Sequence, residues 1–203
     1  MGLNTYIISI VKQTFENHCL ILLTEAYQSS INDNIYALDW LENDFTEMLD
    51  QYIGDNNKRI KWNISNQSER HIHNKKLKSK GFADKEKRID MKMSHIAFKQ
   101  EYHFYIEAKR LKERDSALKN RYIDTGIGKY IHAIYPKGIL VGYLLEGSVN
   151  NTIQGINDIL NQRNRSNENL YRKRHAIHNE YFESTHPQYG TLQHLILDYT
   201  VKG

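Results

Sequence analysis

The chain has 203 residues, 39% of them hydrophobic and 26% charged, and a formal net charge of +4. That length suits one domain with its own core, and that composition excludes a disordered acidic chain and a membrane-embedded one. One cysteine, Cys19, excludes an internal disulfide framework and a cysteine-built zinc site; it points to a reducing compartment, and hence to the cytoplasm.

No run of about 18 apolar residues occurs, and Lys12, Glu16, Asn17 and His18 interrupt the opening stretch, so neither a membrane span nor a signal peptide is expected. Tyr6, Ile7, Ile10, Phe15, Leu20 and Leu23 recur on one face and predict a covering helix over residues 1–30. A second helix is predicted with Asn32 or Asp33 as its cap, Ile35, Leu38, Leu41, Phe45, Met48, Leu49 and Ile53 as its apolar stripe, and Gly54 as its stop. Ile60, Trp62 and Ile64 alternate with Lys61 and Asn63, as a half-buried strand requires. A basic segment from Gln67 to Lys87 reads as a loop or an extended hairpin.

From Arg88 the period is two, with Ile89, Met91 and Met93 on one face, and again from Tyr102 with Phe104, Ile106 and Ala108. Phe98-Lys99-Gln100-Glu101 is short enough to join these as antiparallel strands. A helix over Ser116–Ile134 follows, burying Tyr122, Ile123, Ile127, Tyr130 and Ile131 despite Gly126 and Gly128. After Pro136-Lys137-Gly138, the apolar run Ile139–Leu145 reads as a central strand buried on both faces. A helix over Val149–Leu160 and a strand over Leu195–Val201 complete the order. The expectation is an α/β (α+β) fold: one domain with a mixed sheet flanked by helices, its core over 32–160 and a basic C-terminal extension over 161–203.

Charge is clustered. Arg70, Lys75, Lys76, Lys78, Lys80, Lys85, Lys87 and Arg88 face only Asp84 and Glu86, and Arg163, Arg165, Arg172, Lys173 and Arg174 form a second basic run. Either segment suits a phosphate backbone. Glu107 and Lys109 are two apart in a strand and leave the same face. A turn centred on Phe98 and Lys99 sets Asp90 opposite Glu107, at the roughly 5 Å spacing of cross-strand neighbours. Two such carboxylates repel unless a proton or a cation lies between them. Oxygen ligands suit Mg2+ or Mn2+, and a neighbouring lysine can orient water and neutralise phosphate, so the constellation suits phosphodiester hydrolysis.

Asp90 followed by Glu107-Ala108-Lys109, preceded by an amphipathic helix bearing Glu42 and followed by a helix and a buried strand, resembles the PD-(D/E)xK nuclease superfamily over about Ile35 to Leu160. Ile89 stands where the superfamily's name has proline. The resemblance implies a restriction-endonuclease-like core with a four-stranded mixed sheet and Mg2+-dependent cleavage of DNA. Asp90, Glu107 and the Ala108 carbonyl would be metal ligands and Lys109 would orient the attacking water. Glu42 would be the helix-borne acid, with Asp44 and Glu47 as rivals. Lys75, Lys76, Lys78, Lys80, Lys85 and Arg88 would clamp DNA. Two cuts on a duplex would call for two active sites and hence a homodimer, and the helix of the first 30 residues offers a surface for docking into a larger complex. A place in phage defence or nucleic-acid processing follows from family habit alone.

Two other readings compete. Arg172 and His178 have a spacing similar to the HEPN ribonuclease motif, which is helical and metal-independent, and His175 and His178 are three apart on a predicted helix. A binding subunit of the same fold is the other, with Trp62, Tyr102 or Tyr105 available to stack on bases. His71 and His73 fit phosphate contact, and Cys19 fits inert core.

Overall fold

A computed structural model describes residues 2–71, 88–132 and 134–201, with main chain only at 2–4, 69–71 and 88. A mixed sheet of seven strands runs in the order β1-β2-β3-β4-β7-β6-β5, with helices on both faces. β1 is Ile64–His71, β2 Arg88–Ala97, β3 Gln100–Leu111, β4 Gly138–Leu144, β5 Tyr171–Arg172, β6 Tyr181–His186 and β7 Gly190–Asp198. β1, β2 and β3 form an antiparallel meander, β4 lies parallel to both β3 and β7, and β6 and β5 return antiparallel. The mixed α/β architecture agrees with the sequence expectation; the sheet has seven strands where the resemblance implies four.

The β2–β3 register is the expected one. Ala97 pairs with Gln100 and Met91 with Ile106, so the turn centres on Phe98 and Lys99. Both turn residues take positive φ, 51° and 62°, the left-handed pair that a two-residue hairpin demands even without glycine. Beyond Met91 the ladder to β3 stops, and Ile89 joins the other core layer from Met91 and Met93, which corrects their expected shared face.

Helix α1 runs without a break over Gly2–Asp33, and Asn34, with φ of 52°, ends it. The expected second helix therefore starts late: α2 is Glu42–Asp55. Its entry is fixed by Asp44, whose carboxylate accepts the Leu41 N–H at 2.7 Å. Ile35, Leu38 and Leu41 lie outside the helix and are exposed, whereas Phe45, Met48, Leu49 and Ile53 are buried. The strand expected at Ile60 and Trp62 is instead the short helix α3, Asn57–Lys61, capped by the Asn56 side chain on Lys58 N–H at 2.9 Å; the strand begins at Ile64.

The helix expected over Ser116–Ile134 is α4 (Ser116–Arg121), a π-helix (Tyr122–Ile127) and α5 (Gly128–Ile131). Helix α6 spans Val149–Gln162, and a 3₁₀ turn Ser166–Glu168 follows. One core layer packs α1 and α2 through Leu22, Leu23, Phe45 and Leu49 against Phe104, Ile106 and Val141. The other packs Tyr122, Ile127, Ile153 and Ile156 against Leu111, Leu140 and Ile196. The last strand spans Gly190–Asp198, beginning five residues earlier than expected and ending before Val201, where Asp198 Oδ1 accepts the Thr200 N–H at 2.9 Å and the chain turns. Among the described residues no helix is long and apolar enough to cross a membrane.

Candidate active site

β3 alternates between the two layers. Phe104, Ile106 and Ala108 enter the first core, while Tyr105 and Leu111 belong to the second. Glu107 and Lys109 stand with the odd-numbered set, and both are buried, at 0% and 4% exposure. A buried carboxylate beside a buried ammonium marks the centre of the molecule's polar chemistry, because such groups are tolerated only when paired.

Lys109 Nζ is the point of convergence. It lies 2.6 Å from Glu107 Oε1, 2.9 Å from Glu42 Oε1 and 3.8 Å from Asp90 Oδ2, and it donates to the Ala108 carbonyl at 2.5 Å. Glu42 reaches this point because α2 begins with it: the acid sits where the helix dipole favours negative charge, and its Oε2 accepts the Arg110 N–H at 3.1 Å. Its two rivals are engaged elsewhere. Asp44 caps the helix, and Glu47 accepts from Ser68 Oγ at 2.8 Å. Asp90 stands just past the last β2–β3 pair, Met91–Ile106, so the expected Asp90–Glu107 pair is not part of the ladder; instead Asp90 Oδ2 accepts the Ala108 N–H at 2.7 Å, a side chain taking a main-chain donor at the ladder's end.

Two groups reach Glu107 from the other side. Lys129 Nζ, from α5, lies 2.6 Å from Oε2, and Tyr135 O–H donates to the same oxygen at 3.0 Å. Arg121 extends the positive rim, with a guanidinium nitrogen 3.7 Å from Glu42 Oε1 and a half-exposed side chain. None of Lys129, Tyr135 and Arg121 belongs to the sequence motif. The crossover from β3 to β4 brings them back, and the sequence offered no signal for them beyond Gly126 and Gly128 in the helix expected there.

The electrostatics are strained in a specific way. Burial, then the charge of Asp90, push the Glu107 carboxyl above its usual range, against the pull of Lys109 and Lys129. For Lys109, burial is the largest single influence and lowers its pKa, but Glu107, Asp90 and Glu42 together overcome it and hold it above the ordinary lysine value. Glu107 Oε1 is buried without a well-formed hydrogen bond, although Lys109 lies against it as an ion pair. The three N–H groups of Lys109 face three close acceptors, Glu107, Glu42 and the Ala108 carbonyl, and Asp90 at 3.8 Å lies beyond hydrogen-bond reach.

Could this constellation hold a divalent ion? Asp90, Glu107 and the Ala108 carbonyl supply hard oxygen donors, and Glu107 Oε1 has unspent acceptor capacity, which suits Mg2+ or Mn2+ completed by water. Among the described residues no three His, Cys, Asp or Glu side chains group closely enough to form a metal site on their own. The fit therefore rests on two carboxylates and one carbonyl.

The remaining expected residues are dispersed. Lys75, Lys76, Lys78, Lys80, Lys85 and His73 lie outside the described residues, and Arg88 opens β2. Trp62 is stacked on His18 with ring centroids 3.8 Å apart, and Tyr105 on Tyr135 at 5.8 Å, so these faces are engaged internally. Tyr102 O–H donates to Gln100. His175 and His178 are not on a helix but on the irregular segment between β5 and β6, where the backbone follows the sheet edge. His175 stacks on Tyr181 at 4.4 Å, His178 Nε2 contacts the Ile196 carbonyl at 3.0 Å, and Arg172 pairs with Glu180 at 2.6 Å. Cys19 is buried in α1.

No protein family, curated protein or solved structure matches the chain.

Proposed function

We propose that the protein is a metal-dependent nuclease of the PD-(D/E)xK kind, hydrolysing phosphodiester bonds in DNA with Mg2+ or Mn2+. The observation that carries this reading is the meeting of Glu42, Asp90 and Glu107 on one lysine ammonium. The succession α2, β1, β2, β3, a crossover helix and β4 also supports it, with an antiparallel meander followed by a parallel strand, since it resembles the restriction-endonuclease-like core in order and direction.

Asp90, Glu107 and the Ala108 carbonyl are the residues that would hold the ion. When bound, a divalent ion supplies Lewis-acid stabilisation of the phosphate and lowers the pKa of a coordinated water. Lys109 stays protonated, since its three acids raise its pKa, so it serves as a hydrogen-bond donor and a fixed positive charge rather than as a base. Glu42 keeps that ammonium over the Ala108 carbonyl and ties α2 to β3 through the Arg110 N–H. Arg121 at the rim and the basic segment with Lys75, Lys76, Lys78, Lys80, Lys85 and Arg88 would attract the phosphate backbone. A dimer or a larger complex would extend that footprint.

Plasmid DNA incubated with purified protein tests the reading. Cleavage with Mg2+ that stops with a chelator and in Glu107→Gln and Lys109→Met is the expected result. Cleavage retained in Glu107→Gln rejects it, and metal-independent cutting of RNA that requires His178 replaces it.

A further inference from the structure

Glu107 is gripped on the oxygen that the chemistry above does not use. Lys129 Nζ and the Tyr135 hydroxyl both meet Oε2, at 2.6 and 3.0 Å, while Oε1 faces Lys109. We infer that Lys129 and Tyr135 are positioning residues that fix the Glu107 carboxylate through Oε2 so that Oε1 is presented toward Lys109 and Asp90. This rests on the nuclease reading and adds two residues that the sequence motif does not contain.

The argument begins with burial. Glu107 has no exposed surface, so in the ion-free protein its charge is balanced by neighbouring side chains rather than by water. Lys109 is shared with Glu42, Asp90 and the Ala108 carbonyl, and it must turn to water or phosphate during reaction. A second cation that stays behind holds the carboxylate in place while the first is occupied. Lys129 meets that requirement: its side chain is 24% exposed, so it reaches inward from the surface to a fully buried partner.

Local structure explains why it reaches. The π-helix Tyr122–Ile127 adds a wide turn before α5, and wide turns of this kind change the direction in which the following side chains leave the helix. Gly126 lets that turn sit against the site, because a Cβ there would stand 3.0 Å from Leu140 and 3.3 Å from Lys109 Cγ. Tyr135 is held in turn by its rings: it stacks on Tyr105 with an interplanar angle of 8° and meets Tyr130 edge-on at 5.2 Å. Lys129 Nζ also lies 5.6 Å over the Tyr135 ring, so the two groups hold each other as well as Glu107.

Lys129→Met, Lys129→Arg, Tyr135→Phe and the Met/Phe double variant test this, with Mn2+ affinity read from the free-ion paramagnetic resonance signal alongside cleavage kinetics. Lys129→Met is expected to weaken Mn2+ binding and lower kcat by about 10- to 100-fold, with KM for DNA within about twofold. Tyr135→Phe does the same more weakly. The double variant falls short of the product of the two, because both act on one oxygen, and Lys129→Arg recovers part of the loss. A folded Lys129→Met with Mn2+ affinity and kcat within about twofold of wild type overturns the assignment, as does a rise in KM alone, which would make Lys129 a phosphate contact. Should Lys129→Met fail to fold, Tyr135→Phe removes a single hydroxyl and decides the matter by the same readouts. Wild-type protein that binds no Mn2+ and cuts no DNA defeats the nuclease reading itself and this assignment with it, whereas failure of the assignment alone appears only in the variants.

Discussion

Two polar clusters are buried against the same sheet, and they are built on opposite principles. The first gathers Glu42, Asp90, Glu107, Lys109 and Lys129 around one short stretch of β3. The second is a chain of hydrogen bonds. Arg165 binds Glu168 at 2.7 Å, Glu168 meets His186 Nδ1 at 2.6 Å, and Ser184 Oγ lies 2.7 Å from both His186 Nε2 and His194 Nε2. Tyr122 O–H closes it on His194 Nδ1 at 2.9 Å.

In the second cluster every proton has one place to go. Glu168 is ionised, held below its usual range first by the hydrogen bond from Arg165, so His186 Nδ1 donates to it. His186 Nε2 must then accept from Ser184, Ser184 from His194 Nε2–H, and His194 Nδ1 from Tyr122. Each of these side-chain groups is satisfied, as a stable buried network must be. In the first cluster Glu107 Oε1 has the ion pair with Lys109 but no well-aligned hydrogen bond, and burial raises that group's pKa. Satisfied polar clusters hold a fold together, and a cluster with unspent capacity is where a ligand would act. Tyr122 opens the π-helix and Lys129 follows it, so one element is anchored in the second cluster and feeds the first.

The sharpest way to break the comparison is to remove one polar group from each cluster. Asp90→Asn, Glu107→Gln or Lys109→Met should lower cleavage by at least about 10³-fold in folded protein, because each takes away a group placed at the reacting phosphate. Cleavage of a labelled duplex with circular dichroism as the fold control checks this. Ser184→Ala should do the reverse. It strands the Nε2 atoms of two buried histidines and should cost about 2–4 kcal/mol in denaturant unfolding, while cleavage by the folded protein changes by less than about threefold. Equal losses of activity from the two clusters would erase the distinction.

Acid should act on the second cluster. Burial, and secondarily His186, pushes His194 down to about 3 from an ordinary 6.5. The unfolded chain therefore binds a proton that the folded one refuses, and stability must fall as pH drops from about 6.5 toward 3. Thermal unfolding across that window should show a decreasing midpoint, and His194→Gln, compared with wild type, should flatten the slope. The smallest effect belongs to the distributed basic segment. Neutralising Lys75 and Lys76 together should weaken DNA binding by a few-fold and reduce the salt slope by about two, with kcat unchanged.

Much of this could be read from the residues because local rules govern those parts. Met91, Met93, Phe104 and Ile106 alternate cleanly, and a two-residue turn at Phe98-Lys99 then dictates which β2 residues face which of β3. That places Asp90 near Glu107-Ala108-Lys109 without any tertiary information. The α2 boundary was not legible. Ile35, Leu38 and Leu41 continue the apolar period of the true helix, and only the left-handed Asn34 and the Asp44 cap show that the chain runs irregularly there. β6 was missed because its buried residues include Ser184 and His186, polar side chains that enter the interior only as members of the network. Lys129 and Tyr135 were missed for a related reason. Their partner lies across the β3–β4 crossover, and the π-helix that shifts their phase has no simple periodic signature.

The central claim is that two acids of one hairpin share an ion beside Lys109. Mn2+ binding, counted by paramagnetic resonance on wild-type protein and on the Asp90→Asn/Glu107→Gln double variant, measures it without reference to turnover. The account predicts bound Mn2+ in the wild type that disappears in a folded double variant. Equal binding in the two proteins, or none in either, would contradict it.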